Sequence, residues 1–319
     1  MIHRRRFLKL IAGGLVASQL PAPLLASWRP AVALPGEVPN PGKGNFLFDD
    51  TPDRELRAAL LSVDGTGEQV IRQLSAAATC FEPLPCAGGD GQRAAVDAIH
   101  NLAVSGTVVD LLYLFAQGRS ENLPRVTELA VAGRSIGLFT VAMIVETQDT
   151  DVNQWATVCT EAGVDSLNLI SPAALGPDAA ILGPQFAPQP HELACLTALR
   201  SHTDYFRIRC WGGIDFLDYK SIGGGRRTVR LGMGSASVTT RGAEATHMAM
   251  DALKRQGILF TQQQNCWVMV FAGKDCSMED WDEVSRVIHG RMDEDAYCII
   301  GLFAEEEFDE TFTVTILAG

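Results

Sequence analysis

The chain has 319 residues, of which 47% are hydrophobic, and its formal net charge is −12. That length allows about two domains with sizeable cores. Nucleic-acid-binding surfaces are basic, so a chain with this net negative charge is not expected to bind nucleic acid.

The N-terminus departs from the acidic balance. Arg4-Arg5-Arg6-Phe7-Leu8-Lys9 precedes an uncharged apolar stretch over 10–25, and Ala31-Val32-Ala33 supplies the small residues that a signal peptidase reads. This pattern is typical of twin-arginine export and predicts a signal peptide over residues 1–33 and a periplasmic mature protein without a stable membrane span. The alternative is an uncleaved anchor, for which the stretch is short and rich in Gly and Pro.

Removing residues 1–33 takes away five basic side chains and no acidic one, which changes the net charge from −12 to −17. Such a charge favours solubility and disfavours an anionic membrane surface as a partner.

A linker and a strand–turn–helix unit come next. Residues 34–53 are rich in Pro and Gly without periodicity, which indicates a linker. Leu60-Leu61-Ser62-Val63 predicts a strand, Asp64-Gly65-Thr66-Gly67 a turn, and the apolar spacing after Glu68 a helix. This geometry offers backbone N–H groups to a phosphate. However, Asp64 and Glu68 place two carboxylates at its mouth, where they would repel a polyphosphate.

The pattern then alternates between strands and helices. Residues 81–91 predict a loop, and the apolar runs over 108–115 and 136–145 predict buried strands with helices before and between them. Continuous apolar strands that alternate with helices indicate a parallel sheet covered on both faces. The loop that follows Phe115, over 116–124, contains a single glycine, Gly118.

Residues 211–238 combine glycine breaks with two acids three positions apart, Asp215 and Asp218. The stretch predicts a loop, a short helix capped by Asp215, a glycine stop at 223–225 and a strand. After residue 225 the order is β-α-β-α-β-β, and Ser277 is predicted to cap the second of these helices. This order predicts a second sheet, separate from the first, with helices packed on it in two layers.

The eight cysteines show no C-x-x-C spacing, and the histidines are scattered, so we predict no metal site. An oxidising compartment permits disulfides. Cys80 and Cys86 flank a turn and are the favoured local pair, and Cys266 and Cys276 bracket a strand and its exit loop. The remaining cysteines in apolar patterns are predicted to be small core residues: Cys159, Cys195 and Cys298.

The segment Ile214-Asp215-Phe216-Leu217-Asp218-Tyr219, followed by a strand ending in Gly232-Met233-Gly234-Ser235, resembles the synergy-loop region of the tubulin/FtsZ family. Gly213 stands at that loop's asparagine position. Val164-Asp165-Ser166-Leu167 is similar to a family strand, and the resemblance covers roughly residues 56–319.

The resemblance implies an FtsZ/tubulin-like α/β fold with three parts. These are a reduced Rossmann-like parallel-sheet domain over 54–195, a central helix with a synergy-like loop over 196–222, and a two-layer α/β sandwich over 223–319.

The resemblance also implies where a site would be. Asp215 and Asp218 match the acids that orient the attacking water on the GTP of a neighbouring copy. Other residues occupy phosphate-loop positions: Gly65, Thr66, Gly67, Gly118 and Ser120. The family signature GGGTGTG is replaced at 116–124 by a loop with one glycine, and side chains there obstruct a close phosphate approach. A helix cap and a first-turn acid are the alternative roles for the two aspartates, and the residues favour them.

Two functions of different classes remain open. The first is an exported, non-catalytic FtsZ-like protein, without a cofactor, that binds itself or another envelope protein. The second is a divergent GTP-binding and GTP-hydrolysing polymer former with a role in cell division. The loop over 116–124 is the feature that discriminates between them, and it favours the first.

Overall fold

The computed structural model describes residues 56–77, 80–105, 108–172, 190–203, 214, 216–225, 227–237, 240–262, 265–293, 295–304 and 312–319. The predicted signal peptide and linker lie outside these residues, and so does Asp215.

Strands and helices alternate through most of the described chain. The strands are β1 (Ala58–Ser62), β2 (Phe81–Pro83), β3 (Leu111–Gln117), β4 (Phe139–Val145), β5 (Ser166–Ile170), β6 (Arg227–Ala236), β7 (Asn265–Ala272), β8 (Tyr297–Ala304) and β9 (Phe312–Ala318). The helices are α1 (Glu68–Ala77), α2 (Gln92–Val104), α3 (Leu123–Ser135), α4 (Val152–Ala162), α5 (Pro190–Thr203), α6 (Phe216–Gly223), α7 (Arg241–Arg255) and α8 (Met278–His289). Among these helices, none is long and apolar enough to cross a membrane.

Within the described residues, nine strands form one sheet in the order β2-β1-β3-β4-β5-β6-β9-β7-β8. The pairs from β2 to β6 and the pair β7–β8 are parallel, whereas β9 is antiparallel to both β6 and β7. The predicted class, a parallel-dominated sheet covered by helices, is confirmed.

The expectation of two separate sheets is wrong, because β6 pairs with β5 of the N-terminal half and also with β9 of the C-terminal half. Its residues 227–230 pair with β5, and its residues 230–236 pair with β9. A ten-residue strand extends beyond its five-residue neighbour β5 and continues the sheet into the C-terminal half. The strand pattern does not encode which neighbours a strand will have. The domain boundary at residue 223 stays a prediction.

A second correction concerns residues 81–91, which were predicted to form a loop throughout. Phe81–Pro83 pairs in parallel with β1 and forms an edge strand of the sheet. A segment of three residues is too short to show the two-residue alternation of a strand. Its last residue is proline, which strands tolerate mainly at the edge of a sheet.

The cores explain how the halves are joined. One face of the sheet carries a single core that runs across all nine described strands, from β2 to β8, beneath α1, α5 and α6. The other face carries two cores, one beneath α2, α3 and α4 and one beneath α7 and α8. The two halves therefore share a hydrophobic core on one face and keep separate cores on the other.

The helix boundaries follow from the capping residues in the sequence. Asp151 accepts a hydrogen bond from the Gln154 backbone N–H (3.0 Å), and Gly163 ends α4 with φ +86°. Ser277 and Asp280 form a reciprocal capping box at the start of α8, which confirms the predicted cap.

Close packing explains the Gly-Met-Gly motif of β6. A Cβ on Gly232 would meet the carbonyl oxygen of Ala249, and one on Gly234 would meet that of Ala245. Both carbonyls belong to α7, so the two glycines allow this helix to pack directly against the strand.

Candidate functional site

The loops after β1, β3 and β4 leave the same edge of the sheet, because these neighbouring strands are parallel. The carboxyl edge of a parallel sheet is where ligands bind in open α/β folds. The predicted phosphate-loop residues lie in the first two of these loops, so the structure brings them to one edge.

The turn after β1 has the backbone shape that the sequence predicts. Gly65 and Gly67 have φ angles of +94° and +77°, which favour glycine. The Gly65 N–H donates to Ser62 Oγ at 2.9 Å, and the Thr66 N–H donates to Asp64 Oδ1 at 3.0 Å. The buried Thr66 completes a turn closed by its own side chains.

The Asp64 carboxylate joins this turn to the loop after β3. Its Oδ2 accepts hydrogen bonds from the Gln117 backbone N–H at 3.1 Å and from Asn122 Nδ2 at 2.6 Å. Asn122 is buried, and its Nδ2 also donates to the Gln117 carbonyl at 3.0 Å. A negative charge of the protein itself thus receives donors from both predicted phosphate loops.

Packing within this second loop explains Gly118, whereas Ser120 lies on the surface. The Gly118 N–H donates to the Val145 carbonyl at 2.8 Å, and a Cβ on Gly118 would collide with Thr150 Oγ1. Ser120 is exposed and begins a single 3₁₀ turn. Arg119 pairs with Glu121 at 3.7 Å on the surface. Gly118 therefore has a structural reason to be glycine.

A bidentate ion pair lies at the ends of β4 and β5 and was missed by the sequence analysis. Arg230 Nη1 and Nη2 contact the two Glu146 carboxylate oxygens at 2.6 and 2.8 Å. Their side chains are only 14% and 18% exposed. The signal in the sequence is Arg230, a charged residue inside the apolar strand β6. Its partner Glu146 is 84 residues away, so the pair could not be predicted. The pair links β6 to the end of β4.

Asp218 lies at the opposite edge of the parallel sheet. It is half-buried in the first turn of α6. Phe216 and Tyr219 of this helix contact Phe139 edge-on, with ring centroids 5.9 and 5.7 Å apart. Phe139 begins β4, whereas the phosphate-type loops follow the carboxyl ends of the strands. Within one chain, Asp218 and those loops therefore do not form one site, and Asp215 lies outside the described residues.

The buried end of α5 forms polar contacts that the sequence analysis also missed. Ser201 Oγ donates to Thr315 Oγ1 at 2.9 Å, and the Trp267 indole N–H donates to the Ser201 carbonyl at 2.7 Å. His202 Nδ1 and the Tyr219 hydroxyl share a hydrogen bond of 2.5 Å. Burial lowers the pKa of His202 to about 3, so the ring is neutral near pH 7, and burial raises the pKa of Tyr219. These contacts join α5 to β7, β9 and α6.

Among the residues that the structure describes, no group of three or more His, Cys, Asp or Glu side chains could hold a metal ion.

Comparisons with known proteins agree with this architecture. Residues 228–319 match the model of the FtsZ family, C-terminal domain. The cell division protein FtsZ of Azotobacter vinelandii is 23% identical over 239 residues, which are 72% of this chain and 60% of that protein. The chain thus spans about three fifths of the length of this relative.

The fold is also similar to two solved structures. An FtsZ variant of M. jannaschii has a TM-score of 0.66 at 16% identity, covering 83% of this chain and 91% of that one. TubZ of Bacillus thuringiensis serovar israelensis, described as GDP-form protofilaments, has a TM-score of 0.55 at 10% identity, covering 83% and 85%. The fold is thus that of FtsZ-like α/β proteins. Together the comparisons show that the chain is similar to FtsZ proteins in sequence and in fold, with the family model matching residues 228–319.

Proposed function

We propose that the mature chain is an exported, non-catalytic FtsZ-like protein that acts by self-association or by binding another envelope protein. The observation that carries the proposal is the position of Asp64. Its carboxylate accepts hydrogen bonds from the Gln117 and Thr66 backbone N–H groups and from the Asn122 amide, which are donors within the two predicted phosphate loops.

The energetic cost to a phosphate is large. Two like charges about 4 Å apart repel by about 4 kcal/mol at the effective dielectric constant of a protein surface. A bound phosphate would also have to displace the hydrogen bonds that Asp64 now accepts. A repulsion of about 4 kcal/mol alone weakens a dissociation constant by roughly a thousandfold. GTP hydrolysis presupposes GTP binding, so we infer that it is lost as well.

Self-association is supported by the fold relatives, because solved structures with this fold are described as an FtsZ dimer and as TubZ protofilaments. In this chain Leu217 is 70% exposed on α6, directly before Asp218. Leu217 lies within the synergy-like segment, so a second copy docked against that segment would cover this apolar side chain.

The alternative function is a divergent GTP-binding polymer former. It is favoured by the turn at Gly65 and Gly67, whose positive φ angles keep the backbone shape of a phosphate-type loop. For GTP to bind there, the Asp64 carboxylate would have to turn away or be protonated.

Calorimetric titration of GTP into the mature chain is expected to give no binding in the micromolar range, because Asp64 occupies the donors. Sedimentation velocity is expected to give the same assembly state with and without GTP. Asp64→Asn keeps the side-chain shape and removes the charge, and Asp97→Asn is a matched control on the exposed surface of α2. If Asp64→Asn binds GTP and Asp97→Asn does not, the Asp64 carboxylate is the group that prevents GTP binding.

A micromolar dissociation constant for the unmodified chain would overturn the proposal and support the alternative. GTP turnover that Asp215→Ala abolishes would do the same.

Leu217→Asp tests the self-association surface in the sedimentation experiment, with Leu259→Asp as a control, since Leu259 is also exposed at 46%.

Export is tested separately. Replacing Arg4 and Arg5 with a lysine pair is expected to retain the protein in the cytoplasm, because the twin-arginine pair is the feature that this route requires. Cell fractionation followed by mass determination of the mature N-terminus measures the effect. Unchanged recovery from the periplasm would contradict twin-arginine export, and a substitution of Arg29 with lysine is the matched control within the same segment.

A further inference from the structure

Three sulfur atoms meet in the core of the C-terminal half. Cys266 on β7 and Cys298 on β8 are direct partners in the parallel strand register. Their Sγ atoms lie 3.0 Å apart, with the Cys266 thiol donating. The Cys266 Sγ is also 3.3 Å from the Met292 Sδ. These distances place the two thiols closer together than ordinary packing requires.

We propose that Cys266 and Cys298 form a disulfide that ties the edge strand β8 to β7. Neighbouring strands lie about 4.8 Å apart, and a disulfide requires Cα atoms about 4.4–6.8 Å apart. The two thiols already share one face of the sheet and face each other, so only a side-chain rotation is needed. The sequence pattern predicts instead that Cys298 is a core residue and that Cys266 and Cys276 bracket a strand and its exit loop.

The difference in exposure between the two cysteines determines which thiol reacts first. Cys298 is half-buried on the edge strand, whereas Cys266 is fully buried, and its burial beside Cys298 raises its pKa. The Cys298 thiolate therefore attacks the disulfide of an external oxidant, glutathione disulfide or an oxidised thiol–disulfide oxidoreductase, and expels one thiolate. Cys266 then loses its proton and attacks the Cys298 sulfur, expelling the second thiolate. Two protons and two electrons leave the protein, and the oxidant becomes two thiols.

The bond would have a structural consequence for an exposed edge. Among the described strands β8 lies at one edge of the sheet, and an edge strand is open to pairing with other chains and to fraying. A link between residues 32 positions apart closes a loop that contains α8 and restricts the unfolded chain. Formation in cells rests on the proposed export, since disulfides persist in oxidising compartments. Formation with an added oxidant does not rest on it.

The test uses the full chain, purified reduced and then incubated with glutathione disulfide. Free thiols are alkylated, and peptides are mapped without reduction. The expected result is a linked pair of peptides containing Cys266 and Cys298, lighter by two hydrogen atoms than the separate peptides. The oxidised chain is expected to melt about 5–10 °C above the reduced chain. Cys298→Ser should lose the linkage and the shift, whereas Cys276→Ser should keep both.

Several results would overturn the proposal. These are recovery of Cys266 and Cys298 as alkylated thiols, glutathione retained on Cys298, or a link from Cys266 to Cys276. Stoichiometric Cu(I) binding that protects both thiols and is lost in Met292→Leu would assign the sulfur cluster to a soft metal instead. Peptide mapping of the unmodified chain gives the answer even if Cys298→Ser fails to fold. A pair that closes with glutathione disulfide but is reduced in protein taken from cells would contradict the export proposal and leave the disulfide chemistry supported.

Discussion

Replacing Trp267 with alanine is expected to lower the free energy of unfolding by about 3–5 kcal/mol, because the change opens a cavity in the shared core. Trp267 is 1% exposed, and its ring packs edge-on against Tyr219 at 5.4 Å. Its indole N–H donates to the Ser201 carbonyl at 2.7 Å. The residue thus joins β7 to α5 and α6. Urea unfolding followed by circular dichroism measures the loss.

Two controls separate volume from hydrogen bonding. Trp267→Phe keeps most of the volume and removes the hydrogen bond, so its loss is expected to be smaller, about 1–3 kcal/mol. Trp281→Ala truncates a half-buried tryptophan of α8 and tests the effect of a less buried position. A loss below about 1 kcal/mol in Trp267→Ala would contradict the buried packing described here. Separate transitions for the two halves of the unmodified chain would contradict their shared core.

Acidification is expected to destabilise the protein through His202. Its pKa is lowered by burial to about 3, against an ordinary value of 6.5. Between these values the unfolded chain binds a proton that the folded chain does not. The stability is therefore fully present above pH 6.5 and falls as the pH decreases, by about 1.4 kcal/mol per pH unit down to the folded pKa. Unfolding curves at pH 7, 6 and 5 measure this slope.

His202→Asn keeps a polar atom near the Nδ1 position and removes the titration, so the slope is expected to flatten by about 1.4 kcal/mol per pH unit. His289 also has a lowered pKa because of burial and should leave a smaller residual slope. His100→Asn, at an exposed position of α2, is the matched control and should retain the full slope. An unchanged slope in His202→Asn would show that this ring is protonated, or exposed, in the folded protein.

Local patterns in the sequence were sufficient for most of the elements. The apolar runs that form β1, β3 and β4 are buried on both faces. A strand buried on both faces consists almost entirely of hydrophobic residues, so it can be recognised in the sequence. Ser277 was recognised as a cap, and its helix begins where predicted. Caps, glycine stops and apolar periods act over a few neighbouring residues, so they can be recognised without knowledge of the tertiary fold.

The candidate site was predictable in part. Gly65 and Gly67 were expected to shape a turn at a strand end, and the structure gives both the positive φ angles that this requires. The carboxylate of Asp64 was expected to repel a phosphate. Its hydrogen bonds to Gln117 and Asn122 were not predicted, because the partners are 53 and 58 residues away.

The sequence by itself determined most of the strand and helix order, with β2 as the exception, the resemblance to the tubulin/FtsZ family and the single glycine at 116–124. Only the tertiary structure decided that β6 makes one sheet of both halves and that Cys266 faces Cys298. The physical reason is the range of the interactions. Backbone propensities and caps are local, whereas strand neighbours and side-chain contacts depend on how distant segments share one core, which no single segment encodes.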